Sequence, residues 1–223
     1  MPDFVLPSED ELADAHRVVY EVLAPTPQYP WPLVGERLGA RVWVKHENHT
    51  PTGAFKVRGG LVYFDRLRRR EPDCPGVISA TRGNHGQSVG FAARRAGLPA
   101  VIVVPHGNSR EKNAAMRALG VELVEHGEDF QAAREHAAVL AAERGLHMVP
   151  AFHRDLVLGV SSYCVELLAA VPDLDVVYVP IGQGSGICSM IAARAALGAK
   201  VEIVGVCSAH APAYALSFAA GRA

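Results

Sequence analysis

Apolar and polar positions alternate along this chain with two distinct periods. Ser8 stands three positions before Glu11 and leads into ELADAHRVVYEVL, where apolar residues recur every three or four positions. That pattern is a capping box opening an amphipathic helix, which the Pro25-Thr26-Pro27 turn must end. RVWVKHE alternates residue by residue in the manner of a strand. After the stretch PTGAFKVRGG, Val57 to Arg70 reads as a helix whose late arginines suit the negative end of its dipole. The pattern then repeats: GVISA strand, NHGQSVGFAARRAG helix, PAVIVVP strand, SREKNAAMRALG helix, VELVEHG strand, DFQAAREHAAVLAAERG helix. Short β-branched runs separated by longer helices predict parallel βαβ units, which wind right-handed and carry helices on both faces of a sheet. The fold class expected is α/β. A compact run of such units spans about Gly76 to Met148, and a fresh set follows with LGVSSYCVELLAAV, DVVYVP, ICSMIAARAALG and VEIVGV. Two lobes with a ligand between them are expected, residues 1–75 and 149–223 forming the larger and 76–148 the smaller.

Composition narrows the function. With 223 residues, 49% of them apolar, the chain is long enough for one substantial core or two small ones. Its formal net charge is -1 with acids and bases interleaved, so no field of one sign is available to capture nucleic acid or an anionic membrane surface. A small molecule is the expected partner. Cys74, Cys164, Cys188 and Cys207 form no CxxC pair, which gives neither a zinc knuckle nor a disulfide framework and suits reduced thiols. The opening MPDFVLPSEDELADAH is acidic without an apolar core, and no apolar run reaches the roughly 20 residues of a membrane span. The cytoplasm is the expected compartment.

Three stretches carry candidate chemistry. In VYVPIGQGSGICSM a strand ends, Gly182, Gly184 and Gly186 follow, and a helix starts at once, so backbone N–H groups and a helix N-terminus converge on one point. Such a point binds anions, although a tight turn with glycines supplying positive φ has the same pattern. Ile187 stands where a dinucleotide fingerprint needs its third glycine, and VEIVGVCS ends without an acid for a ribose hydroxyl. A phosphate monoester fits better than NAD. SATRGNHGQS is a second strand end running into a helix start, with Asn84 and His85 in an exposed turn. Backbone N–H groups there can grip a carboxylate, but on these residues alone Asn84 as a helix cap and His85 as a surface residue is the preferred reading. In PTGAFKVRGG, Thr52 or Gly53 can end a loop, which puts Lys56 in the first turn of a helix. The helix dipole and burial beside Phe55 would both push its amine toward the neutral, nucleophilic form. From this one lysine alone, a solvated surface charge is the favoured reading.

Together, PTGAFKVRG, SATRGNHGQ and GQGSG, in that order, resemble the motifs of the pyridoxal phosphate enzymes with the tryptophan synthase β-subunit fold, in the serine/threonine dehydratase and serine racemase branch. TPQYPWPLVGERLGARVWVKHEN is similar to the segment that leads into those motifs, so the resemblance covers the chain from Thr26 onward. It implies that Lys56 holds the cofactor as a Schiff base and, once an amino acid displaces it, removes the Cα proton. It implies that Phe55 packs beside the ring and Asn84 hydrogen-bonds the ring hydroxyl. Gly182, Gln183, Gly184, Ser185 and Gly186 would cradle the phosphate, and Thr81, Arg82, Gly83 and His85 would form the substrate loop. The implied reaction is β-elimination from L-threonine, L-serine or a related hydroxy amino acid, giving a 2-oxo acid and ammonia, in a homodimer. A racemase, a β-replacement enzyme and a non-catalytic truncated relative are the alternatives.

Four departures qualify the resemblance. Arg82 stands where racemases have a serine and dehydratases a small residue, which speaks against racemase activity. Gln183 and Ser185 interrupt a run of glycines, although the Ser185 hydroxyl can itself donate to a phosphate. CSAHAPAY supplies no carboxylate where some members bind a metal, so no divalent cation is expected, with His210 alone a poor ligand. Family members also run on for roughly a hundred more residues, the size of a further set of βα units. Their absence would leave the larger lobe with an exposed sheet edge.

Overall fold

The computed structural model describes residues 5–222. The chain runs α1 (Glu9–Tyr20), β1 (Gln28–Pro30), α2 (Pro32–Leu38), β2 (Trp43–Lys45), a 3-10 turn (Glu47–His49), α3 (Lys56–Arg70), β3 (Val77–Ala80) and α4 (Asn84–Ala96). It continues through β4 (Ala100–Val104), α5 (Arg110–Ala118), β5 (Glu122–Glu125), α6 (Phe130–Arg144) and β6 (His147–Met148). The last third holds α7 (Arg154–Ala170), β7 (Val176–Pro180), α8 (Ser185–Ala196), β8 (Glu202–Val206) and α9 (Ala213–Ala220). The capping box at Ser8 and Glu11 is present in both directions.

Strands β5, β4, β3 and β6 form a parallel sheet in that order. Its faces follow the two-residue period of a strand. Val77, Ile102 and Val104 pack with Val89, Ala93 and Met116 of α4 and α5, while Ile78, Val101 and Val103 pack with Ala133, Ala137 and Leu140 of α6. Helices therefore cover both faces, as parallel strands require. β7 and β8 form a separate parallel pair, and β1 and β2 an antiparallel ribbon.

Several elements differ from the pattern read in the sequence. Pro32 gives α2 a proline first turn and Gly39 closes it in the left-handed conformation, but the helix buries no residue, so it shows no apolar stripe. β6 has two residues, too few for a period. α9 is apolar almost all round yet has no buried residue, and Phe218 is 90% exposed. α7 starts at Arg154 rather than at Leu158, because the His153 side chain accepts from Asp155 N–H and caps it earlier.

Helix α3 is the centre of the molecule, packed between α4 on one side and α7 on the other. The paired glycines of PTGAFKVRGG make this possible. A Cβ on Gly59 would lie 2.7 Å from the Leu156 carbonyl oxygen, one on Gly60 2.4 Å from Ser88 Oγ, and one on Gly159 of α7 2.2 Å from the Arg58 carbonyl oxygen. Glycine inside a helix costs about 1 kcal/mol relative to alanine. Here it lets three backbones approach closely enough to fix where Lys56 stands.

Candidate active site

Lys56 is the first residue of α3. Phe55, in helical backbone conformation and without a side-chain bond, occupies the capping position, where Thr52 or Gly53 was expected. The Thr50 and Thr52 hydroxyls both donate to the Ala54 carbonyl instead, tightening the loop. The amine of Lys56 donates to Ser185 Oγ at 2.6 Å, joining residues 129 positions apart. Ser185 opens α8 and is 1% exposed. Burial pulls the Lys56 amine down from its ordinary value to about 8. The Phe55 ring lies 5.3 Å from that amine and 5.6 Å from the Tyr163 ring.

The glycine loop has the form of an anion cradle. Gly184 caps α8 at φ 94°, a conformation open to glycine. Gly182 and Gln183 are exposed, Gly184 and Gly186 buried. Among the described residues, the N–H groups of Gly182 to Gly186 have no backbone acceptor, although they precede or open a twelve-residue helix. Unpaired N–H groups at the positive end of a helix favour an anion. A Cβ on Gly186 would sit 3.5 Å from the Phe55 ring, so the start of α8 packs against the residue next to the lysine. A cavity of about 610 Å³ opens beside it, between α6, the ends of β3 and β6, and Gln183. That volume suits a small ligand. Lys56 is not in its lining.

The third stretch contributes differently from the expectation. His85 is 9% exposed, so the turn that was expected to display it buries it. Gly83, rather than Asn84, caps α4. Thr81 is buried and its hydroxyl accepts from Gly83 N–H at 3.0 Å. Arg82 and Asn84 are exposed, and their side chains make no hydrogen bond among the described residues. Ser88, one turn into α4, donates to the Lys56 carbonyl oxygen at 2.7 Å, tying α4 to the start of α3. The structure thus brings Phe55, Lys56, Ser185 and Gly186 together, buries Thr81, Gly83, His85 and Gly184, and leaves Arg82, Asn84, Gly182 and Gln183 exposed.

Sequence reasoning passed over the support beneath this group. Arg58 is 0% exposed and donates to Glu47 at 2.8 and 3.0 Å, to Glu166 at 2.6 and 3.2 Å, and to Ser162 at 2.9 Å. Lys45 donates to Glu166 at 2.6 Å and to the Thr26 carbonyl oxygen at 2.6 Å. Burial opposes the charge on Arg58, but hydrogen bonds and charges from Glu166 and Glu47 outweigh it and raise its pKa. Burial likewise opposes ionisation of Glu166, and bonds from Arg58 and Lys45 outweigh it and hold its pKa down. The available signal was an arginine inside an otherwise apolar and glycine-rich helix segment, since buried arginine requires partners.

A half-buried amine shifted toward neutrality stands across one hydroxyl from a glycine loop at a helix N-terminus, a setting that suits an anion beside the amine. Residues 19–223 match the profile of the pyridoxal-phosphate dependent enzyme family, and the chain belongs to that family. It is 34% identical over 189 residues to the biosynthetic L-threonine dehydratase of Haemophilus influenzae, covering 84% of this chain and 37% of that one. It is 37% identical over 188 residues to the L-threonine ammonia-lyase of Geobacter sulfurreducens, covering 84% of this chain and 46% of that one. Among solved structures, the processed threonine deaminase isoform 2 of Solanum lycopersicum superposes with a TM-score of 0.85 at 29% identity, over 100% of this chain and 65% of that one. The fold is that of the tryptophan synthase β-like pyridoxal phosphate enzymes. The chain spans less than half the length of the two curated relatives. No described helix is long and apolar enough to cross a membrane.

Proposed function

We propose that this chain is the cofactor-holding core of a pyridoxal phosphate-dependent ammonia-lyase acting on L-threonine, L-serine or a related hydroxy amino acid. The observation that carries the reading is the contact from the Lys56 amine to Ser185 of the glycine loop. It puts a nucleophile next to an anion cradle. Bound pyridoxal phosphate supplies an aldehyde that condenses with amines and a ring that accepts the electron pair of a broken Cα–H bond. The residues present fit that group, since its phosphate matches the unpaired N–H groups of Gly182, Gln183, Gly184, Ser185 and Gly186.

In this reading Lys56 takes up the Cα proton at Nζ, and its depressed pKa keeps a useful fraction of free amine near neutral pH. Ser185 orients that amine by accepting its hydrogen bond, and its own hydroxyl proton remains free to donate. Phe55 shields one side of the amine from water. Asn84 serves the ring hydroxyl, and Thr81, Arg82, Gly83 and His85 serve the amino acid. We further propose that residues 1–75 and 149–223 form a larger lobe and 76–148 a smaller one, and that the protein works as a cytoplasmic homodimer. The names of the curated relatives support the substrate class.

The reading is tested by incubating the purified protein, loaded with pyridoxal phosphate, with L-threonine and L-serine. Release of ammonia and a 2-oxo acid in equal amounts is expected, with none from a Lys56→Ala variant. Formation of D-serine without 2-oxo acid would identify a racemase instead. Binding of the cofactor with no turnover of either kind would point to a non-catalytic relative.

A further inference from the structure

Two side chains from distant parts of the chain hold the glycine loop. The Lys56 amine donates to Ser185 Oγ at 2.6 Å. The Tyr214 hydroxyl of α9 donates to the Gln183 carbonyl oxygen at 3.1 Å. Among the described residues this second contact is the one hydrogen bond that joins α9 to the rest of the chain, and α9 buries no residue of its own. The tyrosine also walls the loop: a Cβ on Gly184 would lie 3.4 Å from the Tyr214 hydroxyl oxygen and 3.7 Å from the Phe152 ring.

What the contact fixes is a direction. The carbonyl of Gln183 and the N–H of Gly184 belong to one planar trans peptide and point opposite ways. With the oxygen drawn toward α9, the N–H is turned away from it, and that N–H has no acceptor among the described residues. Gly184, at φ 94°, supplies the torsion beside this peptide, and glycine adopts either sign of φ, so the loop's own backbone does little to stop the unit from turning over. A turned peptide would present a carbonyl oxygen where an anion needs a donor.

We infer that Tyr214 is a positioning residue for the glycine loop: its hydroxyl holds the Gln183–Gly184 peptide with the N–H toward the anion, a phosphate monoester. This rests on the cofactor reading above and adds to it a residue outside the loop, which acts through the loop backbone. An N–H already turned to its ligand needs no reordering on binding, so the gain falls on the phosphate group alone.

The test compares Y214F, which removes the hydroxyl and keeps the ring, with F218S, which alters the same helix at a side chain 90% exposed. Kd is measured from the visible absorbance for pyridoxal phosphate and for pyridoxal, which carries the same aldehyde without the phosphate. Y214F should raise Kd for pyridoxal phosphate about fivefold, the worth of one hydrogen bond, and leave Kd for pyridoxal within about twofold. F218S should match the wild type for both. An unchanged Kd for pyridoxal phosphate in Y214F would overturn the inference, as would an equal loss for pyridoxal or an equal loss in F218S, the marks of a merely structural helix. These three results leave the functional reading standing. A wild type that binds pyridoxal as tightly as pyridoxal phosphate would contradict the phosphate assignment of the loop and the role of Tyr214 together.

Discussion

Lys56 and Arg58 are two cations two positions apart on one helix, and the protein treats them in opposite ways. Arg58 is withdrawn from water completely but surrounded by Glu47, Glu166 and Ser162, so its charge is retained. Lys56 is partly withdrawn and given one neutral hydroxyl, so its charge is disfavoured. Residues two positions apart on a helix lie about 200° apart around its axis, so the two side chains meet different environments: Arg58 the Glu166 carboxylate of α7, and Lys56 the Ser185 hydroxyl of α8. Pairing a buried charge makes a structural residue, and leaving one unpaired makes a reactive residue.

The largest effect should come from unpairing the structural side. Arg58→Met leaves the Glu47 and Glu166 carboxylates facing an apolar chain, and removing one partner from a buried ion network costs about 3–5 kcal/mol. Chemical denaturation should show a loss of that size. A loss under 1 kcal/mol would mean that the two cations are not treated differently after all.

On the reactive side the comparison predicts a pH dependence. Below pH 8 Lys56 is protonated in folded and unfolded chain alike, and the folded chain carries the cost of burying the ammonium. Between about 8 and its ordinary 10.5 the folded chain has released that proton while the unfolded chain still holds it. Stability attributable to Lys56 therefore rises with pH across this window, by on the order of 3 kcal/mol in full. Lys56→Met should flatten that rise in denaturation curves taken from pH 7 to 10.5, and equal slopes in both proteins would refute the assignment. The smallest effect belongs to Ser185→Ala. Losing one acceptor should cost about 1 kcal/mol and move the Lys56 midpoint further down, since the ammonium loses its partner. An upward move, followed by NMR of the lysine side chain, would show that Ser185 is not what holds the amine.

Much of this contrast was legible before the structure. The two periods gave the α/β order because strands β3 and β4 and helices α3, α4 and α6 are long or regular enough to show them. β6 and α9 escaped because one has two residues and the other has no buried face to pattern it. The three motifs gave Lys56, the glycine loop and the Asn84 turn, since glycine spacing and strand-to-helix junctions are local signals. Arg58 was in plain view in PTGAFKVRGG, yet its partners Glu47 and Glu166 lie 11 and 108 positions away, and no local pattern pairs them. The burial of His85 was missed for the same reason. A strand-to-helix turn is usually exposed, and here tertiary packing of α4 on α3 covers it.

The chain has four lysines, Lys45, Lys56, Lys112 and Lys200. Lys45 is bound in the Glu166 network, while Lys112 and Lys200 are exposed. Borohydride trapping of added pyridoxal phosphate, followed by peptide mapping, distinguishes among them. At limiting cofactor the label should fall on the peptide containing Lys56 and on no other. A label shared among Lys112 and Lys200, with Lys56 unmodified, would contradict the claim that burial beside the glycine loop makes Lys56 the reactive amine.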